Sequence, residues 1–171
     1  MKKIMFAVMI VSIITSCQKS EVSKLDDPTT SAATLDKSPT PATPNFNLEV
    51  ILRGEEGAFG LVKFRQANDA AKIVTLDVSV RNLLADHEYK LQRAVDTNLD
   101  GNCTSSAWLT LGKGLVAQSI FTDDSGSGKE SLFRSLAAVA SGTTFDIHFQ
   151  VIDALTNEVV LTSDCYQFTV R

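Results

Sequence analysis

Lys72-Ile-Val-Thr-Leu-Asp-Val-Ser-Val-Arg81 decides the fold class. Val74, Leu76, Val78 and Val80 fall on one face of an extended chain, and Thr75, Asp77, Ser79 and Arg81 on the other. That is the period of two of a half-buried strand, not the 3.6 of a helix, and β-branched residues dominate the apolar set. Thr144 to Ile152 repeats it: Phe145, Ile147, Phe149 and Val151 are expected inward, Asp146, His148 and Gln150 outward. Tyr166, Phe168 and Val170 alternate likewise at the C-terminus.

Weaker runs of the same kind lie at Leu48–Arg53, Gly60–Gln66, Glu88–Val95, Ala107–Leu111, Val116–Phe121, Ser131–Leu136 and Glu158–Thr162. Turn chemistry separates them: Gly54-Glu-Glu-Gly57, Asp100-Gly101, Gly112-Lys-Gly114, Asp124-Ser-Gly126-Ser-Gly128 and Ser141-Gly142. Leu136–Ala140 is long enough for one helical turn, and no longer helical pattern occurs. Many short strands at this spacing predict an all-β domain over residues 46–171, built as an antiparallel β-sandwich.

Within it, Leu83-Leu-Ala-Asp-His-Glu-Tyr89 follows the end of one strand and opens the next. This resembles the tyrosine corner of fibronectin type III domains, which implies an immunoglobulin-like topology and a Tyr89 hydroxyl bonded back to the turn backbone. Ala85 stands where that family usually has proline.

Ahead of the domain, residues 17–45 are rich in Ser, Thr, Asp and Lys and hold all four prolines, Pro28, Pro39, Pro41 and Pro44. Such a segment lacks the apolar surface to offset its ordering entropy and reads as a disordered tether, spanning about 30 Å as a coil. Before it, Lys2 and Lys3 precede the uncharged apolar run Ile4–Ile14, too short for the roughly 20 residues of a spanning helix. Ile14-Thr-Ser-Cys17 follows. Basic start, apolar run and box together resemble the signal peptide of bacterial lipoproteins. The resemblance implies cleavage after Ser16, diacylglyceryl transfer to the Cys17 thiol and a lipid anchor at the bacterial cell envelope. Several acyl chains at ~0.8 kcal/mol per buried methylene anchor stably. Phe121–Gly128 and Val160–Cys165 likewise resemble strand ends of small exported bacterial β-sandwich lipoproteins, a likeness that implies fold and location but little chemistry.

Loss of residues 1–16 removes Lys2 and Lys3 and leaves 14 basic against 20 acidic side chains, a formal charge of −6. Without a basic cluster this disfavours nucleic acid as a partner, since such binding rests on neutralising phosphates. With Cys17 assigned to lipid, Cys103 and Cys165 remain. In an exported protein the even pair reads as one disulfide, the alternative being two free thiols.

Several patterns bear on chemistry. Asp96-Thr-Asn98-Leu-Asp100-Gly101 matches the first half of a calcium loop, placing Asp96, Asn98 and Asp100 as candidate metal ligands. Ala107 replaces the twelfth-position glutamate, so an Asx-rich turn is the favoured reading and no cofactor is expected. Gly126-Ser-Gly128-Lys129 fails as a phosphate-binding loop, because Asp123 and Glu130 stand where Gly and Ser or Thr are needed. His87 and His148 have no metal-ligand spacing and no nucleophile elbow beside them. Trp108 is read as packing near Cys103, or as a stacking platform for a sugar ring. The expectation is a non-enzymatic, membrane-tethered module that binds or scaffolds an unknown protein or glycan. The alternatives are an envelope assembly component, a calcium-stabilised binding module and, least favoured, a hydrolase with an unrecognised site.

Overall fold

The computed structural model describes residues 46–171. The expected signal peptide of residues 1–16, the expected lipidation at Cys17 and the expected tether of residues 17–45 lie outside the described residues. The domain is all-β. Its strands are β1 (Phe46–Arg53), β2 (Phe59–Gln66), β3 (Ile73–Arg81), β4 (Glu88–Asp96), β5 (Leu109–Thr110), β6 (Gly112–Lys113), β7 (Val116–Ala117), β8 (Ser119–Phe121), β9 (Gly128–Ser135), β10 (Thr144–Asp153), β11 (Val159–Ser163) and β12 (Tyr166–Thr169). A single 3-10 turn, Glu55–Gly57, sits in the β1–β2 connection. Leu136–Ala140 forms turns and no helix.

The neighbours run β5-β4-β10-β11-β1-β2-β3-β9-β6-β7, with β12 also on β10 and β8 also on β4. All ladders are antiparallel except the parallel pairing of β6 with β9. The remaining side, between β4 and β9, is filled by residues 109–122. Leu111 N–H donates to the Leu91 carbonyl at 2.9 Å, and Gly114 N–H to that of Phe133 at 2.9 Å. β8 pairs with β4, and a bridge between Thr122 and Gly128 joins it to β9. The sheet is therefore nearly closed and mixed.

Period two does what the sequence predicts on the inner face. Val74, Leu76, Val78 and Val80 are buried together with Val50, Val62, Phe64, Leu91, Ile147, Phe149, Val151 and Phe168. Phe64 meets Phe168 edge-on at 4.7 Å and Phe149 at 6.2 Å between ring centroids, separations that favour aromatic pairs beyond their buried area.

The outer face of β10 departs from expectation. Asp146 is 1% exposed and Gln150 7%, although alternation places both outward. The chain between β4 and β5 covers Asp146, and side chains of β4 and β5 take up Gln150. Gly101 N–H donates to Asp146 Oδ2 at 2.8 Å, and Gln150 Nε2 donates to Gln92 Oε1 at 2.7 Å. Gln92 Nε2 in turn donates to Thr110 Oγ1 at 3.0 Å. Buried polar groups are tolerable here because each is hydrogen-bonded. The Cys103–Cys165 disulfide, with Cα atoms 5.3 Å apart, pins this covering segment to the β11–β12 connection.

Gly126 shows why one turn residue is fixed. Its φ is +72°, and a Cβ there would lie 2.1 Å from the Leu83 carbonyl oxygen. The same contact carries a hydrogen bond, Leu83 N–H to the Gly126 carbonyl at 3.1 Å. Only glycine allows both the left-handed backbone and this approach.

Candidate functional site

The two ends of the domain differ. At the first, Tyr89 opens β4, is 1% exposed, and its hydroxyl accepts the Leu84 N–H at 3.1 Å. The corner geometry expected of Tyr89 is thus present, with Ala85 in place of proline. Burial raises the Tyr89 pKa above its ordinary value, against the lowering effect of the Leu84 amide. His87 stands beside it, the rings 5.1 Å apart, with Nε2 2.6 Å from Asp153 Oδ2. Asp153 Oδ1 also accepts the Leu155 and Thr156 amides at 2.8 and 3.0 Å. These bonds tie the β10–β11 turn to the corner. An open groove bordered by Glu55, Glu56, Asp153 and Glu158 lies at this end.

The Asp153 carboxyl is held down to about 2, chiefly by the Thr156 amide, with burial opposing and the Leu155 amide and His87 assisting. A carboxyl whose folded pKa lies below its ordinary 3.8 contributes stability above that value and loses it as pH falls toward 2. Denaturation midpoints of the wild type and of Asp153→Asn, measured from pH 6 to pH 2, should therefore converge below about pH 4. A gap that stays constant through that range would contradict the assignment.

The second end carries the clearest candidate for a binding site. A half-open cavity of about 90 Å³ lies between the ends of β2, β4 and β9 and the starts of β3 and β10. Its walls are apolar, with Leu111, Leu136, Val139, Phe145, Ile147 and Phe149 among them, and its only charged lining residues are Arg93 and Arg134. Both arginines occupy inward positions. Arg93 follows Tyr89 and Leu91 in phase along β4, and Arg134 follows Leu132 along β9. Arg134 Nη1 donates to the Gly114 carbonyl at 3.3 Å. Burial, and after it the charge of Arg134, pulls the Arg93 guanidinium below its ordinary pKa. Two like charges beside an apolar cavity, with no carboxylate in its lining, carry a cost that an anion would relieve.

These two residues escaped the sequence reading. The available signal was a charge in phase with an apolar alternation, Leu91-Gln-Arg93-Ala-Val95 and Leu132-Phe-Arg134-Ser-Leu136.

The residues singled out from sequence are placed elsewhere. Asp96 ends β4, and Asn98 and Asp100 lie in the segment that follows it. Asp96 Oδ2 accepts the Thr104 and Ser105 amides, each at 3.1 Å, and Asp100 accepts the Asn102 amide at 2.9 Å and Asn98 Nδ2 at 2.6 Å. Among the described residues, no group of three or more His, Cys, Asp or Glu is arranged to hold a metal ion. Asp123, Ser125, Gly126 and Ser127 make a hairpin turn, in which the Asp123 carboxylate accepts the Ser125 and Ser127 amides at 2.9 and 3.0 Å. The Ser125 hydroxyl is the largest cause of the lowered Asp123 pKa. Trp108 packs against His148 with ring centroids 4.6 Å apart and planes tilted by 38°, and His148 Nε2 lies 3.1 Å from the Ser105 carbonyl oxygen. Trp108 and His148 thus help seat the covering segment.

The architecture is that of an all-β domain with one disulfide and an arginine-flanked apolar cavity at one end. No protein-family model, no curated protein and no solved structure matches this chain. Among the described residues, no helix is long and apolar enough to cross a membrane.

Proposed function

We propose that this is a non-enzymatic binding module, tethered at a bacterial cell envelope by a lipid on Cys17. Its domain takes up a small ligand in the cavity at the Arg93–Arg134 end. The observation that carries the binding role is the pair of inward arginines at apolar-phase positions, which are a poor choice for packing and a useful one for recognition. The antiparallel pairing of the long strands and the Tyr89 corner support an immunoglobulin-like β-sandwich as the scaffold. The anchor rests on the order of Lys2–Lys3, the apolar run and Ile14–Cys17.

Two experiments test the two halves of this reading. Metabolic labelling with a palmitate analogue should mark the wild type and not Cys17→Ala; equal labelling, or none in either, would remove the anchor. Titration with hexan-1-ol, followed by methyl shifts, should move Leu111, Leu136, Val139 and Ile147 saturably. Unchanged methyls would remove the cavity as a binding site.

A second reading, a component of an envelope assembly, has its own support. Leu115 is 86% exposed and Val116 71%, at the tip of the β6–β7 hairpin, and Phe133 is 42% exposed beside it. Grouped apolar side chains left in water favour a protein contact. Concentration-dependent self-association, or capture of another envelope lipoprotein that Leu115→Lys abolishes, would favour that role.

A further inference from the structure

The chemistry of the cavity defines its ligand more narrowly, and this step rests on the binding role proposed above. We infer that the ligand is a small amphiphilic monoanion, a short aliphatic carboxylate, whose apolar end enters the cavity while its carboxylate sits between Arg93 and Arg134.

Size sets the first limit. An apolar cavity of about 150 Å³ admits benzene. At about 90 Å³, half-open, this one admits a short or slender apolar end and leaves the rest of the molecule at the mouth. Charge sets the second. Arg93 and Arg134 come from strands that flank the closing segment of residues 109–122 on opposite sides, so they face the cavity from two directions. Arg134 keeps one guanidinium nitrogen on the Gly114 carbonyl, which orients it from the β6–β7 turn. Among the described residues, the acidic side chain nearest in sequence to Arg134 on the same face of β9 is Glu130, and Lys113 already engages it at 2.9 Å. Guanidinium is a fork of donors matched to a planar carboxylate, and such charge-assisted bonds strengthen where water is scarce. A neutral apolar ligand fills the cavity but leaves the two like charges uncompensated. A dianion or a sugar places polar groups against Leu136, Val139 and Phe145, where nothing in the lining receives them.

The test compares hexanoate with hexan-1-ol, equal in chain length and different in charge, by shift titration of the protein. Hexanoate should bind at least about tenfold more tightly, a ratio that corresponds to about 1.4 kcal/mol. Its affinity should fall as salt is raised while that of hexan-1-ol stays constant. Arg93→Gln and Arg134→Gln should each shrink the ratio toward one while retaining alcohol binding. Equal affinities in the wild type, or a ratio that survives both variants, overturns the anion assignment and leaves the cavity as a neutral apolar site. Should neither compound bind, the binding role and this inference fall together. The salt dependence is measured on the wild type, so it remains decisive if a variant does not fold.

Discussion

Replacing Cys103 and Cys165 together by serine should lower the free energy of unfolding by about 4 kcal/mol, read from urea denaturation. The bridge closes a loop between positions 62 apart in sequence, and the chain-entropy model gives a loss of that order when such a constraint is released from the unfolded state. The folded state adds a local reason for the effect. Residues 97–108 form no strand and meet the outer face of β10 at Asp146, which is buried and accepts the Gly101 amide, and at His148, whose Nε2 lies 3.1 Å from the Ser105 carbonyl oxygen. Without the crosslink, opening this segment would expose Asp146 and free Asp96 from the Thr104 and Ser105 amides. Proteolysis between Thr97 and Trp108 should accelerate in parallel. A loss below about 1 kcal/mol would show that these hydrogen bonds hold the segment unaided.

Phe149→Ala should cost about 3–5 kcal/mol, the range for deleting a large buried aromatic. Phe149 is 1% exposed, touches Phe64 edge-on and forms part of the cavity wall. Its removal both takes away apolar burial and enlarges a space that is already incompletely filled, so the two costs add. The same variant should take up a bulkier apolar end than the wild type does. A cost under about 1.5 kcal/mol, with unchanged ligand size preference, would mean that neighbouring side chains collapse into the gap.

Sequence pattern carried the inner face and little of what covers it. The alternation in Lys72–Arg81 placed Val74 to Val80 inward because a period of two admits only two faces. The Tyr89 corner was readable for a similar reason, since a short local motif fixes both hydrogen-bonding partners. In sequence β6 carries only turn chemistry, because Gly112-Lys113 has no alternation of its own and becomes strand through pairing with β9 and β7. Asp146, Gln150 and His148 looked solvent-facing because no local pattern reports a loop crossing from elsewhere in the chain. The Asp96–Asp100 segment carries oxygen ligands at calcium-loop spacing, yet their oxygens serve nearby amides and one another. Arg93 and Arg134 interrupt two apolar alternations, but such a break in sequence alone does not mark a site. Their meaning depends on the closure that brings β4 and β9 around one cavity, and that is a tertiary fact.

A crystal structure of the protein with 6-bromohexanoate would locate the apolar end of the ligand through the anomalous signal of bromine. Bromine is expected among Leu136, Phe145 and Ile147, and the carboxylate between the guanidinium groups of Arg93 and Arg134. Bromine at the Tyr89–Asp153 end, or a cavity left empty while the compound occupies the surface, would contradict the proposed binding role.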